Sequence, residues 1–144
     1  MDIMEYHKDG FFISTDPNKL QLEEIYSYLS KSYWAEKRPK DRVARSLAHS
    51  LCFGLYKEGR QIGLARVVTD YSTFAYLCDV YVLEDYQRRG LGKWLISVAM
   101  SHPELQGFRL WSLLTLDTHE LYRRFGFTEL KNSERWLEKL DSSK

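Results

Sequence analysis

Apolar residues change their spacing several times along the chain, and each change marks a new element. Residues 11–15, FFIST, are a short run of strand formers. Leu22, Ile25, Tyr26 and Leu29 then fall at i, i+3, i+4 and i+7, the apolar face of a helix with Asp16 as N-cap and Pro17 in its first turn. Residues 30–42 lose that spacing and read as a loop broken at Pro39, and a second short helix follows over about 42–49. Residues 51–70, LCFGLYKEGRQIGLARVVTD, predict two strands joined by a tight turn at Glu58-Gly59. Asp70-Tyr71-Ser72 turns the chain into FAYLCDVYVL, 74–83, a long buried strand. A glycine-containing stretch opens the next helix, Pro103 and Gly107 bracket a loop, and 108–115 is a further strand. The short helix 117–125 stops at Gly126, as helices do at a C′ glycine, and FTEL and RWLEKL complete the chain as two more strands. The predicted order, β-α-α-β-β-β-α-β-α-β-β, is that of an α+β domain around a mixed sheet.

Composition narrows what such a domain does. A chain of 144 residues buries roughly 68–70% of its unfolded surface, so 1–144 reads as one domain with a short polar tail at 141–144. Its net charge is +1, from 21 basic and 20 acidic residues, which leaves no basic footprint for nucleic acid. The opening MDIMEYHKDG carries acids where a signal peptide needs basic residues and an apolar core. No run is long or apolar enough to span a bilayer, so a cytosolic protein without a membrane partner is expected. Cys52 and Cys78 fall inside predicted strands, where buried free thiols are common. His49 and Cys52 lack the second pair that a zinc site needs, and no metal is expected. The 15% aromatic share favours a pocket or interface lined by rings.

The chemistry begins at DYQRRGLGKW, 85–94, where two glycines follow two arginines between a strand and a helix. A helix start leaves backbone N–H groups without partners, and its dipole attracts anions. Gly90 and Gly92 keep side chains away from those amides, while Arg88, Arg89 and Lys93 add charge at the rim. The spacing is neither the G-x-G-x-x-G of dinucleotide folds nor the G-x-x-x-x-G-K-[ST] of nucleoside-triphosphate loops.

Gln87-Arg88-Arg89-Gly90-Leu91-Gly92 is similar to the Q/R-x-x-G-x-G/A signature of the GNAT N-acetyltransferases. Some thirty residues on, LYRRFGF, 121–127, resembles their second landmark, L-Y-x-x-x-G-F. The resemblance implies a mixed, mostly antiparallel central sheet flanked by helices, with strands four and five splayed around acetyl-CoA. It implies acetyl transfer from acetyl-CoA to a primary amine, by direct attack in a ternary complex. The main chain of Val80, Tyr81 and Val82 would pair with the pantetheine arm, and Gln87, Arg88, Arg89, Gly90, Leu91, Gly92 and Lys93 would hold the pyrophosphate. Tyr122 matches the tyrosine that donates a proton to the departing thiolate. Departures from the family are Glu84 in place of a proline, Arg88 in place of a glycine and Thr115 in place of an asparagine.

Asp79 is the sole charge in FAYLCDVYVL, and strand alternation sets it on the face of Leu77 and Tyr81, opposite Cys78 and Val80. Two roles fit: a general base or ammonium anchor with a raised pKa, or an ion pair with Arg66 on a neighbouring strand. His119 precedes Tyr122 by three positions and is a candidate proton relay. Family analogy puts the acceptor near Tyr33, Trp34, Arg66, Asp70 and Tyr71, an aromatic and acidic set suited to an amine. The expected acceptor is a small-molecule amine. The alternatives are a protein or peptide acceptor, and a non-catalytic acyl-CoA sensor. The C-terminal strands offer edges that could pair in a homodimer.

Overall fold

The computed structural model describes residues 1–141, so the polar tail from 142 onward lies outside the described residues. Two of its turns carry paired left-handed residues, Asp9 (φ 52°) with Gly10 (φ 82°) and Glu58 (φ 49°) with Gly59 (φ 84°). Such pairs match the right-handed twist of flanking strands and close tight hairpins. The first joins β1 (Glu5–Lys8) to β2 (Phe11–Ser14), and the second joins β3 (Leu51–Lys57) to β4 (Arg60–Thr69). With β5 (Phe74–Val82) and β6 (Leu110–Leu113) they make one sheet in the order β1-β2-β3-β4-β5-β6. Every neighbouring pair is antiparallel except β5 with β6, which is parallel. The expected α+β architecture with a mixed, mostly antiparallel sheet is therefore present.

Helices cover both faces. α1 (Leu22–Leu29) and α2 (Lys40–Ala48) set Ile25, Leu29, Val43 and Leu47 against Cys52, Leu64 and Tyr81. On the opposite face α3 (Leu91–Met100) packs Leu95, Ile96 and Ala99 against Ile13, Phe53, Ile62, Val67 and Leu77. The short α4 (His119–Arg123) follows β6 and adds Tyr122 to this second core.

Several expected boundaries move. Asp16 caps a single 3-10 turn, Pro17–Lys19, through a bond from Asn18 N at 2.9 Å, and α1 starts afterwards at Leu22. Gln21 sits at that start and ties it to the sheet instead: its amide donates to the Gly59 carbonyl (2.7 Å) and its oxygen accepts from Gln61 N (2.9 Å). The hairpin strand β1 precedes the first expected strand. FTEL and RWLEKL form no strand among the described residues, where a 3-10 turn at Ser133–Arg135 is the regular structure after α4. A strand needs a neighbour to take its N–H and C=O groups, and 127–141 pairs with no strand among the described residues.

The sheet opens where it matters. β5 and β6 pair only from Phe74↔Leu110 to Leu77↔Leu113. β5 runs on to Val82 without a strand on that side, leaving a splayed edge that points toward the start of α3.

Candidate active site

The register between β4 and β5 shifts between Leu64 and Arg66, and Asp79 takes a left-handed backbone, φ 50°. This is a β-bulge, which inserts a residue and re-aims the side chains around it. Leu77 therefore lies in the α3 core and Tyr81 in the α1–α2 core, although they are four positions apart. The expectation that Asp79, Leu77 and Tyr81 share a face is overturned, because simple alternation ends at the bulge.

The bulge drives the Asp79 carboxylate into a cluster of donors. Oδ2 accepts from Arg66 Nε at 2.8 Å and from Arg38 Nη1 at 2.9 Å, and Oδ1 accepts from Trp34 Nε1 at 2.9 Å. Burial alone would push this carboxyl up, but the Arg66 and Arg38 guanidiniums outweigh it and hold it below the usual carboxylate range. Of the two roles open for Asp79, the ion pair with Arg66 is the one present, and a raised pKa is not. Arg66 also donates to Ser50 Oγ at 3.0 Å. The loop between α1 and α2, an exposed strip in the sequence, is thereby fastened across the sheet through Trp34 and Arg38.

Rings line the wall so formed. Tyr33 and Trp34 meet edge-to-face at 5.2 Å, Trp34 approaches Tyr28 at 6.4 Å, and Tyr28 stacks on Tyr81 at 4.0 Å. Tyr122 is 9% exposed, its ring edge-on to Phe127 at 6.0 Å. Burial, with a smaller contribution from Tyr33, pushes the Tyr122 hydroxyl up to about 12. Burial also pushes the Cys78 thiol up to about 11 and the Cys52 thiol up to about 12, so neither is an activated nucleophile.

The glycine loop has the form an anion cradle requires. Gly90 is the N-cap of α3 at φ 77° and supplies no side-chain cap, so the first amides of the helix stay available. Arg88, φ 65°, makes a second left-handed turn just before it. Gln87 Nε2 donates to the Val82 carbonyl at 2.8 Å, and Arg89 Nη2 donates to the Asp85 carbonyl at 3.1 Å. These two side chains fasten the loop to its own backbone.

Gly92 is the informative position. It lies in the first turn of α3, where an added Cβ would meet only Val82 Cγ2, at an ordinary 3.9 Å. Glycine costs roughly 1 kcal/mol relative to alanine inside a helix, and the protein's own packing does not call for it here. A phosphate approaching those amides does. Gly92→Ala is therefore expected to hold or raise thermal stability by up to about 1 kcal/mol while weakening CoA binding at least about tenfold. Gly90→Ala, which forces a Cβ to φ 77°, is expected to lose both. Calorimetric titration beside a melting curve separates the two effects, and unchanged CoA affinity in Gly92→Ala would remove Gly92 from the cradle.

The remaining expected residues are dispersed. Asp70 caps the β4–β5 turn, accepting from Ser72 N (2.9 Å), Thr73 N (2.8 Å) and Thr73 Oγ1 (2.6 Å). Tyr71, φ 59°, belongs to the same turn and borders the N-terminal segment around Ile3. Both lie beyond Phe74, five strand residues or about 16 Å from Asp79. His119 is exposed at the start of α4, with no hydrogen bond to Tyr122. Thr115 spends its hydroxyl on Thr118, at 2.6 Å from Oγ1 and 3.2 Å from N. Arg38 and Tyr28 are additions: Arg38 stands in the mixed-charge run EKRPKDRVAR, which reads as a solvated face.

A splayed strand edge and an uncapped glycine-bearing helix start thus meet at Val82, and a buried tyrosine belongs to the core beneath them. The model of the acetyltransferase (GNAT) domain matches residues 48–129, more than half of the chain. The chain belongs to the GNAT acetyltransferase family. A Gibberella zeae protein named a candidate acetyltransferase is 36% identical over 138 residues, spanning 80% of this chain and 77% of its own. The crystal structure of a candidate GNAT acetyltransferase from Xanthomonas campestris is 43% identical, covers 94% of this chain and 96% of its own, and superposes with a TM-score of 0.90. A GNAT acetyltransferase from Elizabethkingia anophelis, solved with acetyl-CoA bound, shares the fold at a TM-score of 0.65 with 14% identity, covering 94% and 90% of the two chains. No helix among the described residues of this GNAT protein is long and apolar enough to cross a membrane.

Proposed function

We propose that this protein transfers an acetyl group from acetyl-CoA to a primary amine by direct attack in a ternary complex, with a small-molecule amine as acceptor. The observation that carries the reading is the alignment of the unpaired 78–82 edge of β5 with the uncapped start of α3, where Gly92 keeps space that the protein itself does not fill. The bound structure of the Elizabethkingia anophelis relative supports the choice of acetyl-CoA. Bound acetyl-CoA supplies an activated thioester. The chain's part is to hold its anionic end on the Leu91–Lys93 amides and its arm along β5, through main-chain groups of Val80, Tyr81 and Val82.

Direct attack fits the thiols. A cysteine-bound acetyl-enzyme needs a thiolate, and burial keeps both cysteines protonated at neutral pH. Asp79 is engaged with two guanidiniums, so it fixes the Trp34–Arg38 wall instead of taking the amine's proton. Trp34 and Tyr33 present ring faces and edges at the entry, a surface that attracts an ammonium before it deprotonates. The loop pinned across the sheet confines that entry, which favours a small acceptor.

Thermal unfolding with acetyl-CoA, CoA and ATP titrated separately tests the cradle. A ligand at a hundredfold over its Kd stabilises by about 2.7 kcal/mol, roughly 5–10 °C for a chain of this length. Acetyl-CoA and CoA are expected to produce that shift and ATP none. Amines are then screened by thiol release. No shift with either CoA species at millimolar concentration would make the glycine loop a structural turn.

A further inference from the structure

Asp79 answers two guanidiniums with a single carboxylate, so the cluster it joins carries an excess of positive charge. Its Oδ2 takes Arg66 Nε at 2.8 Å and Arg38 Nη1 at 2.9 Å, while Trp34 Nε1 occupies Oδ1 at 2.9 Å. Among the described residues no other acidic side chain lies within salt-bridge distance of either arginine. Charge withdrawn from water is costly without a counter-ion, and the site leaves room for one.

That room is on Arg38. A guanidinium binds a carboxylate best through two parallel N–H bonds, yet Arg38 reaches Asp79 through one nitrogen only. Its Nε and Nη2 make no hydrogen bond among the described residues. Arg66 is more fully committed: it also donates to Ser50 Oγ at 3.0 Å, and 12% of its side chain is exposed against 24% for Arg38. The sheet beside the cluster is open as well. Val67, Ala75 and Leu77 point into the α3 core, so Arg66, Val68 and Tyr76 face the α1–α2 side. Val68 pairs with Tyr76 and Tyr76 with Ser112, and none of the three is buried.

We propose that the acceptor is an amino acid, with its carboxylate on the free donors of Arg38 and its amine beside the splayed edge of β5. This rests on the acetyl transfer proposed above and narrows its acceptor. A planar, singly charged carboxylate fits the open side of the fork and cancels the excess charge. A bare ammonium instead adds a second positive charge to a wall that already carries one. The amine exchanges one N–H for the acetyl C–N bond, the electron pair of the broken C–S bond stays on the CoA sulfur, and the proton goes to solvent. The product is an N-acetyl amino acid.

Thiol release from acetyl-CoA tests this with the common α-amino acids, β-alanine and γ-aminobutyrate, each beside its amide and the amine left when its carboxyl is removed. In wild type the best acceptor is expected to be an acid, with kcat/KM about 10–100-fold above its own amide and amine, the worth of a charge-assisted hydrogen bond. In Arg38→Met that ratio is expected to fall to within about threefold of one. Arg38→Met leaves Asp79 and Arg66 as a balanced pair, so the fold is expected to hold. Arg38→Lys keeps the charge without the fork and is expected to retain part of the preference. The ratio is the readout because a merely loosened wall lowers acid and amide together and leaves it unchanged. The same acids and amides are titrated into the CoA complex and followed by thermal unfolding. Amides or bare amines that react as well as the acids, or a preference for acids that survives Arg38→Met, overturn the inference and leave acetyl transfer standing. Acids that stabilise the CoA complex through Arg38 yet release no thiol uphold the carboxylate site and overturn the transfer. Neither thiol release nor an acid-specific shift overturns both.

Discussion

Asp79→Asn is expected to lower the unfolding midpoint by about 10–15 °C. The substitution keeps the side chain's volume and leaves an oxygen for Trp34 Nε1, but it turns an amide Nδ2 toward the Arg66 and Arg38 donors, so the charge and its two hydrogen bonds are lost together. Arg66 loses its counter-ion in a place where only 12% of its side chain reaches solvent, whereas Arg38, at 24%, has a freer path outward. Removing one partner of a buried pair costs about 3–5 kcal/mol because the remaining charge is left uncompensated, and a chain of this length loses a few degrees per kcal/mol. Replacing the pair together, Asp79→Leu with Arg66→Met, removes both charges and is expected to recover most of the loss. Scanning calorimetry of the three variants decides it. An Asp79→Asn midpoint within about 3 °C of wild type would show that water already reaches Arg66 and that the cluster is not a buried one.

The same carboxylate sets a pH dependence. Its folded pKa is depressed below the unfolded value of about 3.9, so its contribution is complete above that value and is lost as pH falls through the folded pKa. The gap between wild type and Asp79→Asn should accordingly be constant from about pH 5 upward and should close as the solution becomes more acid. A gap that instead widened on acidification would mean a raised pKa for Asp79, and would bring the general-base role back.

The two halves of the site differ in how far the sequence reveals them, for a physical reason. The proposed phosphate cradle is local: a strand, a turn and a helix start within some ten residues, with glycine where a left-handed backbone or a close approach is needed. Composition and order therefore specify it directly. The wall proposed for the acceptor is assembled from the α1–α2 loop, β4 and β5, and the residue that joins them is a left-handed aspartate inside a strand. Aspartate tolerates that backbone better than most residues, but nothing in FAYLCDVYVL distinguishes a bulge at Asp79 from continuous alternation. Once the bulge is present, the Arg66 partnership follows and Arg38 leaves the apparently solvated run to join it. The hairpin at Asp9-Gly10 is the opposite case. Its Asp-Gly pair is a strong turn signal, yet EYHK is too polar to read as a strand, because only Tyr6 is partly buried along it. For the C-terminus, strand pattern is present and strand structure is absent, since a pattern states a preference and only a neighbour satisfies it.

Tyr122→Phe is expected to reduce kcat by about 10²–10³ with little change in the Kd for acetyl-CoA, the signature of a donor used only as charge develops. This rests on the proposed acetyl transfer, and burial sharpens what the hydroxyl can do there. At about 12, the phenol is a weaker acid than a free thiol at about 8.5 by about 3.5 units, which makes full proton transfer to the departing thiolate uphill by about 5 kcal/mol. A donor so placed stays protonated and stabilises the thiolate through a hydrogen bond, and the thiolate takes its proton from solvent afterwards. The solvent isotope effect on kcat should then be close to one in wild type, and the kcat profile should show no downward limb from Tyr122 below about pH 11. If Tyr122→Phe instead costs more than about 10⁴ and wild type shows a solvent isotope effect above about two, the proton is in flight in the transition state. Donors placed around the phenolate position in the bound complex would then have to bring the phenol down toward the thiol against its burial. Retention of full activity in Tyr122→Phe would make the tyrosine a packing residue of the α3 core, leaving the thiolate to be stabilised by backbone amides alone.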